Sequence, residues 1–157
     1  MTTITGIAVF DSKIKGTVRF VEKENGVEIE LNLTGLKKNH KHGFHVHQYG
    51  DMSDKCESMC SHFNPFQKTH GGPNSKERHV GDLGNIQTDG NGNVHVVFMD
   101  SMIKLRGTKS NIIGRGLIIH ADEDDLGLGN FEDSHTTGHA GKRIACAVIG
   151  YAKPKNC

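Results

Sequence analysis

Between Val27 and Leu33 every second residue is apolar: Val27, Ile29, Leu31 and Leu33 alternate with Glu28, Glu30 and Asn32. Successive side chains of an extended strand point to opposite faces, so this stretch buries one face and wets the other only as a strand. Residues 17–21 form a second candidate strand upstream. Asn25-Gly26 lies between the two and signals a hairpin, because both residue types accept positive φ. The chain therefore opens with antiparallel strands.

Shorter runs of the same kind follow at residues 7–10, 43–47, 94–99, 116–120 and 145–152, and Asp89-Gly90-Asn91-Gly92-Asn93 marks a turn into the 94–99 run. No stretch carries a long 3.6-residue period, and there is neither an internal repeat nor a low-complexity tract. Many short strands with frequent turn signals predict an all-β sandwich or barrel. The 157 residues predict one domain, residues 1–157. Two connections, 50–83 and 121–143, are too long for hairpins. Long loops inside a compact domain are usually functional or disordered.

Composition narrows the function classes. With 34% apolar and 24% charged residues the chain is neither disordered nor a membrane span, and no apolar run approaches the roughly 20 residues a span needs. A formal net charge of +1 leaves no basic stripe for nucleic acid. Met1 to Gly6 lacks a basic segment followed by an apolar one, so a cytoplasmic location is expected. On that expectation the Asn32-Leu33-Thr34 triplet reads as a chance match to a glycosylation site in a strand. The 11 histidines exceed what packing requires.

Those histidines cluster. His62, His70, His79 and Asp82 share one Gly- and Pro-rich loop and make a complete ligand set for tetrahedral zinc. His45 and His47, two apart on a candidate strand, point to one face and can reach a single ion. With His62 and His120 they form an all-imidazole set suited to zinc, copper, iron or nickel, with copper(II) the tightest. An acidic run, Asp122 to Asp125, opens the second long loop. Of the four cysteines, Cys56 and Cys60 could clamp a different metal with His62, but that would orphan the other histidines.

In order and spacing the motifs Gly43-Phe44-His45-Val46-His47, His62-Phe63-Asn64-Pro65, His70-Gly71-Gly72-Pro73, Arg78-His79-Val80-Gly81-Asp82-Leu83-Gly84-Asn85, Ile112-Ile113-Gly114-Arg115 and Ile144-Ala145-Cys146-Ala147-Val148-Ile149-Gly150 resemble those of the copper-zinc superoxide dismutase family. The resemblance spans nearly the whole chain. It implies a Greek-key antiparallel β-sandwich, or flattened eight-stranded barrel, with two long functional loops. It implies one copper ion per subunit on His45, His47, His62 and His120, and one zinc ion on His62, His70, His79 and Asp82. His62 is then shared, one ring nitrogen per metal, which two adjacent cations make favourable. Asp124 falls on the family's carboxylate that orients a histidine of each site. Arg143 falls on the arginine that docks the anion, and Cys56 and Cys146 on the intrasubunit disulfide, a closure of about 90 residues that stabilises by a few kcal/mol in the chain-entropy picture. Cys60 and Cys157 have no family partner and are expected free.

The implied reaction is disproportionation of superoxide to dioxygen and hydrogen peroxide, with Arg143 and His62 as the catalytic groups. The implied partners are a second copy of the chain, through Gly50, Gly114 and residues 148–151, and a copper chaperone for metal loading. Tyr49 and Tyr151 depart from the family at that contact. A second departure follows Glu132 and Asp133: the segment reads Ser134-His135-Thr136-Thr137, without the usual lysine. Histidine is largely neutral at pH 7, so weaker and more pH-dependent anion steering is expected. A non-catalytic copper-delivery or metal-scavenging module is the alternative on the same fold.

Overall fold

The alternating stretch is the middle of a sheet. In the computed structural model, which describes residues 2–157, it forms strand β3 (Gly26–Thr34). Val27, Ile29, Leu31 and Leu33 are buried, Glu28 and Glu30 half-buried, and Asn32 exposed. Each such buried side chain is worth roughly 1.5–3 kcal/mol. β2 (Lys15–Lys23) pairs antiparallel with β3, setting Val18 opposite Leu31 and Phe20 opposite Ile29. β1 (Thr5–Asp11) extends the same inward row through Ala8, opposite Val18.

The remaining strands are β4 (Lys41–His47), β5 (Asp82–Gln87), β6 (Val94–Asp100), β7 (Gly116–His120), β8 (Arg143–Val148) and β9 (Gly150–Tyr151). They form two antiparallel sheets, β6-β3-β2-β1-β9 and β5-β4-β7-β8. The apolar faces of both sheets supply one core, with Phe20, Ile29 and Leu31 from the first and Phe44, Val46, Leu117 and Ile119 from the second. This is the expected all-β sandwich.

Three local expectations change. The β2–β3 hairpin turns on Glu24 and Asn25, because Lys23 pairs with Gly26, which is already in the strand. Gly26 is nonetheless required: its φ is +148°, and a Cβ there would collide with the Asp100 carbonyl of β6. The run at 145–152 is two strands. It breaks at Ile149, whose backbone is held by Gly114 and Arg115, and so moves from one sheet to the other. β5 was not foreseen. Asp82, Gly84 and Asn85 are poor strand formers, and pairing with β4 across a bulge between Gly43 and His45 holds them extended.

Alternation in the second sheet positions the histidines. Phe44 and Val46 of β4 enter the core, so His45 and His47 emerge on the opposite face, as do Ile118 and His120 of β7. That face is not left to solvent. Loop 48–81 and loop 121–142 fold over it, and His45, His47 and His120 are all buried. Gly43 allows the close approach, since a Cβ there would lie 2.7 Å from Ala140 Cβ of the second loop.

Candidate metal centre

Residues 61–63 run beside β4. Gln48 N donates to Ser61 O (2.9 Å) and Phe63 N to Val46 O (2.8 Å), which brings His62 alongside His47. Phe63 and Val80 anchor the two ends of this loop in the core. Arg78, between His70 and His79, makes a buried ion pair with Asp100 of β6 (2.8 Å) and donates to the carbonyls of Pro73, His79 and Val80. Asp100 Oδ2 in turn accepts from the backbones of Met102 and Ile103. This tie between the histidine loop and the first sheet is not visible in the sequence.

Two groups of ligand atoms result, each mutually within 4.8 Å: His45, His47, His62 and His120, and His62, His70, His79 and Asp82. In the first group one nitrogen of each ring is committed and the other is free. His45 Nε2 donates to Asp124 Oδ2 (2.6 Å), His47 Nδ1 to the Cys60 carbonyl (2.8 Å) and His120 Nδ1 to the Gly141 carbonyl (3.1 Å). Carbonyls and carboxylates only accept, so these contacts fix the tautomers. His45 Nδ1, His47 Nε2 and His120 Nε2 are left with lone pairs. The last two lie 3.4 Å apart, and neither His45 Nδ1 nor His62 Nε2 has any partner although both are buried. Unpaired buried acceptors are costly, and four converging imidazole lone pairs fit a cation of copper's preference.

The second group crowds around one oxygen. Asp82 Oδ1 lies 2.9 Å from His62 Nδ1, 3.0 Å from His70 Nδ1 and 3.1 Å from His79 Nδ1. Asp82 Oδ2 is occupied by the Gly71 and His79 backbone N–H groups, which aim Oδ1 inward. His70 Nε2 donates to Asp124 Oδ1 (2.8 Å), so Asp124 holds one histidine of each group. Three imidazoles and a carboxylate suit tetrahedral zinc. His62 turns Nδ1 to this group and Nε2 to the other.

The electrostatics of the two groups differ. Burial lowers the pKa values of His45, His47 and His62, and burial above all pushes His120 down to about 4. Burial works the same way on His70, but its bonds to Asp124 and Asp82 outweigh it, and its pKa is pushed up to about 9. Burial would raise the Asp82 carboxyl, yet three histidine contacts hold it far below the usual carboxylate range. Without metal, the first group is thus neutral at pH 7 and the second stores a proton.

Cys56 and Cys146 are disulfide-bonded, while Cys60 and Cys157 are free and exposed, so no cysteine clamp competes for His62. Arg143 donates to the carbonyls of Cys56 (2.8 Å) and Cys60 (2.6 Å), and its charge is felt at both His47 and His120. In the acidic run Asp122 and Glu123 are solvent-facing. Asp125 is not: it is half-buried and accepts from Ser134 Oγ at 2.6 Å. His42 was missed by the sequence reading. It shares the core-facing side of β4 with Phe44 and donates from Nδ1 to the His120 carbonyl (2.7 Å), backing that ligand from behind. Its signal was the buried parity in the same alternation that exposes His45 to the loops.

Residues 14–149 match the family described as copper/zinc superoxide dismutase (SODC). The chain is 61% identical over 154 residues to a Cu-Zn superoxide dismutase of Paramecium bursaria Chlorella virus 1, covering 98% of this chain and 82% of that one. It is 49% identical over 142 residues to the extracellular Cu-Zn superoxide dismutase of Drosophila melanogaster, covering 89% and 77% of the two chains. The crystal structure of the clock protein EA4 superposes with a TM-score of 0.92 at 43% identity, covering 97% of each chain.

Proposed function

The chain belongs to the copper/zinc superoxide dismutase family, and on that premise we propose that His45, His47, His62 and His120 hold copper while His62, His70, His79 and Asp82 hold zinc. It is a superoxide dismutase that disproportionates superoxide to dioxygen and hydrogen peroxide, with copper and zinc as cofactors. The observation that carries the assignment of ligands is the set of unpartnered lone pairs, above all His45 Nδ1 and His62 Nε2, facing one point.

Copper, when held by His45, His47, His62 and His120, would supply the one-electron redox chemistry. The chain's own groups do the rest. Arg143, held by two carbonyls, keeps its remaining N–H donors for a small anion. His62 Nε2 would be the proton carrier, taking up one proton in the reductive half of the cycle and giving it to the departing peroxide, whose second proton comes from solvent. Its Nδ1, 2.9 Å from Asp82 Oδ1, would stay with the zinc-site residues and keep the ring from swinging away. Asp124 keeps His45 and His70 in their ligating tautomers.

The chain acts as one domain, in the cytoplasm, as a two-fold dimer through Gly50, Gly114 and residues 148–151, and receives copper from a chaperone. The exposed side chains of Tyr49, Met52, Val148 and Tyr151 around these glycines support an apolar contact. No helix among the described residues is long and apolar enough to cross a membrane. The test is a superoxide-disproportionation assay on protein reconstituted with copper and zinc, beside protein holding zinc in both sites. Activity only in the former is expected, and inactivity with both metals bound favours the scavenging module. Light scattering tests the dimer.

A further inference from the structure

Arg115 is a cation without a counter-charge. Its Nε donates to the Asn111 carbonyl (2.9 Å) and one Nη to the Gln48 carbonyl (2.8 Å). Its guanidinium carbon stands 3.8 Å from the centroid of the Phe63 ring. A guanidinium has five N–H donors, so three remain after these two bonds. No carboxylate reaches them. Arg115 takes part in none of the ion pairs among the described residues. Burial meanwhile works against the charge.

The guanidinium lines a cleft of about 360 Å3 between the end of β4 and residues 61–65. Gln48, Ser61 and Asn64 bring neutral polar side chains to it, and His62 and Phe63 form part of its wall. Arg115 is the one formally charged side chain in that lining. Gln48 spends one amide N–H on Tyr49 Oη and Asn64 one on the Lys68 carbonyl, leaving each a second donor. A partly desolvated fork of donors flanked by neutral donors, with no acid nearby, is complementary to an oxyanion.

We propose that this cleft is a binding site for a small oxyanion of phosphate or carboxylate type, seated on Arg115 with Ser61, Asn64 and Gln48 as additional donors. The site is separate from the anion position served by Arg143. It joins three segments: the Gln48 end of β4, the loop carrying His62, and residues 111–115 before β7. An oxyanion there stiffens the loop that carries His62.

The test uses the copper- and zinc-loaded enzyme in its reduced, diamagnetic state. Inorganic phosphate and acetate are titrated in separate arms at fixed ionic strength, with chloride as the reference, and followed by amide and arginine side-chain NMR. Saturable shifts of the Arg115 Nε–H, Ser61 and Asn64 signals are expected in at least one arm, and the arm that saturates identifies the class. They persist in Arg143→Gln. They weaken at least about tenfold in Gln48→Glu, which is close in shape and sets a fixed carboxylate beside Arg115. Gln48→Glu should keep its fold and its disproportionation rate, which separates this site from the catalytic reading. Shifts equal to those with chloride, shifts confined to the surroundings of Arg143, or full binding by Gln48→Glu would overturn the proposal.

Discussion

Arg143 and His47 share one acceptor: the Cys60 carbonyl takes the Arg143 Nη2 proton at 2.6 Å and the His47 Nδ1 proton at 2.8 Å. The group proposed to dock the substrate and a ligand of the proposed copper site are thus set by the same backbone oxygen. That oxygen sits four residues from Cys56, whose disulfide to Cys146 pins the loop to β8, and β8 begins at Arg143. The loop, the strand and the site close on one another.

The shared carbonyl is held by strained backbone. Cys60 has φ 60° and ψ −142°, a region that disfavours any side chain and costs on the order of 1–3 kcal/mol outside glycine. Cys60→Gly is expected to raise stability by about 1 kcal/mol, the remainder being offset by the freedom glycine gains in the unfolded chain. Cys60→Ala keeps the strain and leaves stability within about 0.5 kcal/mol of the parent. Urea unfolding of the metal-loaded proteins compares them, and a stabilised Ala variant would assign the effect to the thiol instead.

Asp124 orients one histidine of each group through separate oxygens. Asp124→Leu removes both acceptor oxygens, so His45 and His70 each lose the bond that orients the ring. Metal affinity should fall roughly 10–100-fold, in both sites rather than one. Chelator competition followed by metal analysis measures this, and loss confined to a single site would refute the double tether.

Zinc binding should release a proton from His70. Its pKa is raised from 6.5 to about 9 in the fold without metal, so zinc must displace the Nδ1 proton whenever the pH is below 9. Affinity is expected to rise about tenfold per pH unit up to pH 9 and to level off above it. His120, at about 4, imposes no such slope on copper near neutrality. The same shift stabilises the metal-free fold: that contribution is complete below pH 6.5 and is lost as pH rises through 9. Calorimetric titration with zinc in buffers of different ionisation enthalpy counts the released protons.

Arg143→Gln removes the cation while keeping a hydrogen-bond donor toward Cys56 and Cys60. Losing one charge-assisted contact should lower kcat/KM by about tenfold or more. The visible band of bound copper(II) should stay unchanged, since the ligands are untouched. A shifted band would mean that Arg143 acts through His47 rather than on the anion.

His135 lies exposed in the second loop, and its carbonyl accepts from His70 N at 2.9 Å. Its role in steering is read from the ionic-strength dependence of kcat/KM, which should differ between the native chain and His135→Ala. Identical salt profiles would remove His135 from the steering field. Nearby, His139 bonds Asp133 at 2.7 Å, a pairing the sequence did not reveal, and it blunts part of the acidic pair with Glu132.

The amino-acid sequence by itself determined the strand faces and which residues make up the two candidate ligand groups. Alternation at 27–33 and 43–47 is a local property of extended chain, so burial of Ile29 and Leu31 and convergence of His45 with His47 follow from residue order alone. Tertiary structure decided what alternation cannot encode. β5 is a strand because β4 pairs with it, the last run breaks at Ile149 because two sheets compete for it, and Arg115 is left unpaired by the way three distant segments meet. The lone pairs of His45, His47 and His120 were likewise set by Asp124, Cys60 O and Gly141 O, acceptors 79, 13 and 21 residues away. A tautomer depends on which acceptor is within 3 Å or so, and only the folded chain brings those oxygens that close.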